Sequence, residues 1–217
     1  RGRLDESEHA FTEGVPGDIR VTTRLDVAEP FTGLLGALHE TGHALYDMNL
    51  PAGWTTQPVG QDCGLALHLS QALLVEMVIC RSRPFLKWLR PLLQKHFGVT
   101  GPEWEEDNLY RYLTRVRRST VRVDADELTY PQHVLLRYEI EKDLLSGSLA
   151  VRNLAEAWNE GMESRLGIRP TGDVDGVLQD IHWALGSFAY FPSYAVGGAI
   201  AAQLAEALRR DLPEFDA

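Results

Sequence analysis

His39-Glu40-Thr41-Gly42-His43 lies inside a segment where Leu34, Leu38, Thr41 and Leu45 recur at three- and four-residue spacing, the period of an α-helix. Pro30 introduces that helix, Thr32 can cap it, and Asn49 with Pro51 ends it. Residues four apart rise about 6 Å and return to one helix face, so His39 and His43 can grip one ion. Zinc suits such a pair, because it accepts neutral imidazole nitrogen and is undemanding in geometry. Glu40 follows the first histidine and can take a proton from water whose pKa the ion has lowered from about 16 toward 7. The bland alternative is a surface helix with two solvated histidines. Glycines at 33, 36 and 42 argue against it, since they weaken a helix and imply close approach by another part of the chain.

Working outward, 1–17 reads as a polar loop, and Asp18–Asp26 alternates Ile19, Val21 and Thr23 against Arg20, Thr22 and Arg24 as a half-buried strand. Gly53–Gly64 is a loop, followed by a long helix Leu65–Arg81, and a further helix runs from Pro84 to His96. Helix is expected over Glu103–Arg118, a short strand over Thr120–Asp124, then helices from Pro131 to Gly147 and over Leu149–Leu166. Asp173–Gly186 is expected to be helical in part, and Ala195–Arg210 forms the last helix. With no repeat and no Gly/Ser-rich linker, the expectation is one mainly α domain over 1–217 with a small β-sheet beside its cleft.

The 217 residues are 44% hydrophobic and 24% charged, which excludes a disordered chain. A net charge of −10 argues against a general nucleic-acid binder, which needs a basic surface. Cys63 and Cys80 make no disulfide framework, so a reducing, cytoplasmic compartment is expected, with both thiols buried and structural. Residues 1–13 lack the apolar core of a secretory signal, and a start at Arg1 without methionine suggests that a piece precedes it. Trp183–Ala205 carries no charge, but its glycines, serines and Pro192 read as a turn and a buried helix, so no membrane partner is expected. The run Arg111, Arg115, Arg117, Arg118 and Arg122 reads as a solvated face. The alanine-rich last helix, with Gly197 and Gly198, suits tight packing on another helix or a homodimer partner.

Several stretches in order extend the zinc motif. They are Gly2-Arg-Leu-Asp-Glu-Ser-Glu-His9, Asp18-Ile-Arg-Val-Thr-Thr-Arg24, His39-Glu-Thr-Gly-His-Ala-Leu-Tyr46 and Ala125-Asp-Glu-Leu-Thr-Tyr130. His133, Arg137-Tyr-Glu-Ile-Glu141, Leu178-Gln-Asp-Ile-His-Trp183 and Tyr190-Phe-Pro-Ser-Tyr194 follow. Together they resemble the carboxypeptidase Taq family of zinc metallocarboxypeptidases, whose members are about twice this length. The resemblance implies that His39 and His43 bind Zn2+ and that Glu40 is the general base. It implies that Arg137 holds the C-terminal carboxylate of a peptide substrate, as a guanidinium fork can. His182 and Tyr190 would donate to the developing oxyanion. His9 stands where the family has His-Pro-Phe, but here the text is His9-Ala10-Phe11.

One departure matters most. A catalytic zinc site wants three protein ligands, and the family's third is the glutamate of His-Glu-Ser-Gln. Here the segment reads His68-Leu69-Ser70-Gln71, and Leu69 has no lone pair. Zinc could then be held by the two histidines with water, or His68 or Glu76 could substitute from a shifted helix. The third outcome is loss of the catalytic metal, which would leave a relative that binds peptides or a protein partner without cutting.

Overall fold

The computed structural model describes residues 3–8 and 10–215, so His9 lies outside the described residues. The chain is mainly helical with one three-stranded sheet, as the sequence patterns predict. It divides into two compact units, one running to Leu113 and resuming at Val196, the other Thr114–Ala195.

In the first unit, β1 (Arg3–Glu6) lies parallel to β3 (Asp18–Thr23), and β2 (Thr12–Val15) pairs antiparallel on its other side. The strand at Asp18 matches its alternating pattern. The two preceding strands correct the loop expected over 1–17, because their polar sequences carry no period that marks pairing across a gap. Helix α1 (Pro30–Met48) begins at its proline and carries the zinc motif, with Glu29 rather than Thr32 at its N-cap. Thr23 donates its hydroxyl to the Gly33 carbonyl at 2.8 Å, and a Cβ on Gly33 would stand 2.7 Å from the Arg24 carbonyl. Glycine is therefore what lets α1 lie on the sheet.

The long helix expected over Leu65–Arg81 is α2 (Leu65–Leu73) followed by a π-helical turn over Leu74–Ile79. Pro58–Ile79 is long and apolar enough by composition to cross a membrane, yet Gly64 interrupts it and it carries His68, Gln71 and Glu76. Helix α3 (Arg83–Phe97) is capped by the Ser82 hydroxyl, and α4 (Glu106–Leu113) is shorter than expected. Leu86, Leu89, Leu93, Leu109 and Leu113 form this unit's core, with Phe31, Leu34 and Leu35 of α1 packed on it.

The second unit contains α5 (Tyr130–Ser146) and α6 (Leu154–Leu166), whose core is Leu136, Ile140, Trp158, Met162, Leu166 and Val177. Thr120–Asp124 is not a strand: Arg122–Asp124 is a 3₁₀ turn, and Asp173–Gly186 is a series of turns. Helix α7 (Pro192–Asp211) starts three residues earlier than expected, with proline in its first turn. Within the first unit, a Cβ on Gly197 would lie 3.0 Å from the Ala66 carbonyl and 3.2 Å from the Leu69 Cβ. The small residues of α7 thus seat it on α2. Cys80 is buried as expected, whereas Cys63 is exposed.

Candidate metal and peptidase site

One helical turn brings His39 and His43 together, with ring centroids 5.0 Å apart and planes at 78°. Burial, reinforced by the neighbouring imidazoles of His39 and His68, pushes His43 down to about 3, so its ring is neutral and its lone pair available at pH 7. His43 Nδ1 is buried and, among the described residues, makes no hydrogen bond of good geometry. On the other ring, Glu76 Oε2 lies 2.9 Å from His39 Nδ1, and Arg81 donates to Glu76 Oε1 at 3.1 Å. Burial opposes ionisation of Glu76, but His39 and Arg81 outweigh it and hold the carboxyl below its ordinary range. A carboxylate behind a histidine fixes the tautomer, so Nε2 is the atom a metal would take. The π-turn is what presents Glu76 there, a feature the sequence pattern could not reveal.

These two imidazoles fit a divalent cation. The third protein donor is missing: among the described residues, no group of three or more His, Cys, Asp or Glu side chains is arranged to hold an ion. Leu69 is buried and packs toward Gly197. Glu76, one of the two residues able to substitute, is engaged behind His39. The His68 ring stands 4.2 Å from that of His43, with its Nε2 3.3 Å from Asp47 Oδ1.

Glu40 is buried on α1, and the Thr12 hydroxyl of β2 reaches both its Oε2 and its backbone carbonyl at 2.8 Å. Thr12 escaped the sequence reading because it lay in an apparent loop.

The second unit holds the other predicted residues. Arg137 is 1% exposed, its guanidinium carbon 4.8 Å from the Trp158 centroid, 4.6 Å from Trp183 and 4.4 Å from Phe191. Its Nη2 pairs with Asp180 at 3.0 Å, and its Nη1 has no hydrogen-bond partner among the described residues. Tyr190 lies 5.0 Å from the His182 ring, and the Tyr194 hydroxyl is 3.4 Å from His182 Nε2. Glu141 accepts from Trp183 Nε1 at 2.9 Å and from the backbone N–H of Ala189, which sits at φ 59°. That carboxylate holds the turn between His182 and Tyr190 in a conformation non-glycine residues rarely adopt.

Arg122 corrects the solvated-face reading. It is buried and donates through Nε and Nη2 to Asp180, at 2.8 Å for the shortest contact. Gln179 next to Asp180 accepts from Arg122 N at 2.7 Å and donates to the Thr120 carbonyl at 3.0 Å. The Gln179-Asp180 pair therefore clamps 120–122 through main chain and side chain together. Asp126 accepts from the backbone N–H groups of Arg117, Leu128 and Thr129, closing the loop before α5.

His133 is buried, and among the described residues neither ring nitrogen makes a hydrogen bond of good geometry. Burial and the Arg122 charge push it down to about 4. His43 and His133 both have folded-state values below the ordinary 6.5, so the unfolded chain binds more protons under acid conditions. Stability should be full above pH 6.5 and fall as pH drops toward about 4, by about 2–3 kcal/mol per unit in mid-range. Urea unfolding with chelator present, measured from pH 7.5 to 4.5, checks this. His133→Leu should remove about half of the slope, and a flat profile in the parent chain refutes the reading.

A family profile described as Carboxypeptidase Taq (M32) metallopeptidase matches residues 1–217. The chain is 42% identical to Carboxypeptidase 1 of Bacillus subtilis, covering 100% of itself and 43% of that protein. To Thermostable carboxypeptidase 1 of Pyrococcus furiosus it is 38% identical over 100% of itself and 43% of the relative. Among solved structures, Trypanosoma cruzi metallocarboxypeptidase 1 superposes with a TM-score of 0.92 at 46% identity, over 98% of this chain and 44% of that one. The chain thus spans less than half the length of these relatives. A full-length profile match, with a fold that superposes on solved relatives, makes this chain a member of the carboxypeptidase Taq (M32) metallopeptidase family.

Proposed function

We propose that this chain carries the catalytic machinery of a zinc-dependent carboxypeptidase that removes single amino acids from peptide C-termini. The observation that carries the reading is the neutral, buried His43 beside His39, with the Glu40 carboxylate on the same helix. His39 and His43 would hold the ion, which when bound would polarise a carbonyl and bring the pKa of water toward neutrality. Glu40 accepts the proton of the attacking water. Arg137 is assigned to the substrate carboxylate, with its Nη1 supplying the donor. That role requires the cage of Trp158, Trp183 and Phe191 to open. His182 and Tyr190 donate to the oxyanion. The reading places the protein in the cytoplasm, where Cys63 and Cys80 stay thiols, and gives it neither nucleic acid nor membrane as partner.

A second reading rests on Leu69 and the missing third donor: a relative that binds peptides without cutting them. Elemental analysis of zinc and hydrolysis of blocked dipeptides separate the two. Bound metal with turnover supports the enzyme; no turnover supports the binder. Leu69→Glu should raise turnover about sixfold or more, equivalent to about 1 kcal/mol, together with a gain in zinc retained on dialysis. Without zinc, the same variant should unfold at lower urea, because it buries an unpaired carboxylate.

A further inference from the structure

Strand β2 is short and polar, yet it is anchored through Phe11, the residue that precedes it. Thr22 N–H donates to the Phe11 carbonyl at 2.9 Å, and Phe11 N–H donates to Thr22 Oγ1 at 3.1 Å. The Thr23–Gly33 hydrogen bond ties the same sheet to α1. Thr12 is thus carried on a rigid edge, and its hydroxyl has one proton for two acceptors on Glu40, each at 2.8 Å. An ionised carboxylate is the stronger acceptor, and the helical carbonyl already receives the ladder N–H.

We propose that Thr12 is the positioning residue of Glu40, selecting one carboxylate rotamer by engaging Oε2 and leaving Oε1 as the oxygen that receives the proton. This rests on reading Glu40 as the base. Glutamate has a long side chain whose rotamer freedom must otherwise be lost at the reaction step. Among the described residues, no other donor reaches this carboxylate. The competing account makes Thr12 a plain tie between sheet and helix through the Glu40 carbonyl. That account predicts lost stability and an undisturbed carboxylate.

The test compares Thr12→Val, which keeps the shape and removes the hydroxyl, with Thr12→Ser, which keeps the hydroxyl. Thr12→Val should lower kcat by about ten- to hundredfold with KM within about twofold, and Thr12→Ser should return to within about threefold of the parent. A readout free of turnover is the antisymmetric carboxylate stretch of Glu40, isolated as the infrared difference between the parent and Glu40→Gln. It should move in Thr12→Val and return in Thr12→Ser. Turnover that survives Glu40→Gln overturns the base reading, independently of Thr12. An unmoved band, or parental kcat in Thr12→Val beside an inactive Glu40→Gln, overturns the Thr12 assignment alone. In a chain without turnover, the band by itself decides whether Thr12 holds the carboxylate.

Discussion

Glu40→Gln should lower kcat by about 10³-fold, close to 4 kcal/mol of barrier, while leaving the fold intact. The amide is isosteric with the carboxylate, and its oxygen can still accept the Thr12 hydroxyl that now reaches Oε2 at 2.8 Å. Packing around the buried position is preserved, and neither His39 nor His43 loses a neighbour. What is lost is the capacity to take a proton, because an amide is not a base near neutral pH. The measurement is the initial rate on a blocked dipeptide at saturating concentration, with zinc content matched between the two proteins. Thermal midpoints should agree within about 2 °C, since no mechanism of strong destabilisation is engaged. A residual rate within tenfold of the parent would remove Glu40 from the chemistry.

Gly42→Ala should cost about 2–3 kcal/mol of stability, with the sign opposite to that expected from helix propensity. A Cβ at position 42 would stand 2.6 Å from Ala72 Cα, 2.8 Å from the Gln71 carbonyl and 3.0 Å from Ala72 N. All three are backbone atoms, so no side chain can swing aside and the two helices must part. Alanine's better helix propensity, about 1 kcal/mol, offsets only part of that strain. Gly198 on α7 is the internal control, because among the described residues nothing beyond its own helix lies within 4 Å of a Cβ there, so Gly198→Ala should stabilise by up to about 1 kcal/mol. Urea midpoints of the two variants should therefore move in opposite directions. The Gly42 variant should also retain less zinc on dialysis, since Glu76 on the element following α2 sets the His39 ring. Equal midpoints for both variants would mean that α1 and α2 are not locked at Gly42.

Local periodicity is enough for α1 and α3, because an apolar stripe bounded by Pro, Gly or Asn needs no distant partner to be recognised, and α5 is marked by Pro131 and Gly147 at its ends. It failed for β1 and β2, whose partner is β3, and for Arg122–Asp124, where alternating residues form a 3₁₀ turn clamped by Gln179. Arg122 looked like one of five solvated cations. Its distinction is Asp180, a residue far along the chain that no window around 122 contains. The π-turn that turns Glu76 onto His39 is equally invisible, since its residues have the composition of ordinary helix.

The sequence by itself determined the helical class, the placement of His39 and His43 on one helix face and the neighbouring Glu40, because covalent spacing and residue chemistry set all three, while the resemblance to the family is what marks Leu69 as the position of a lost donor. Only the tertiary structure decided that Thr12 meets Glu40, that Glu76 stands behind His39, and that Arg137 is enclosed by Trp158, Trp183 and Phe191. Each of those is an encounter between distant segments, and its energy comes from desolvation and directional bonds that exist only once the chain has folded.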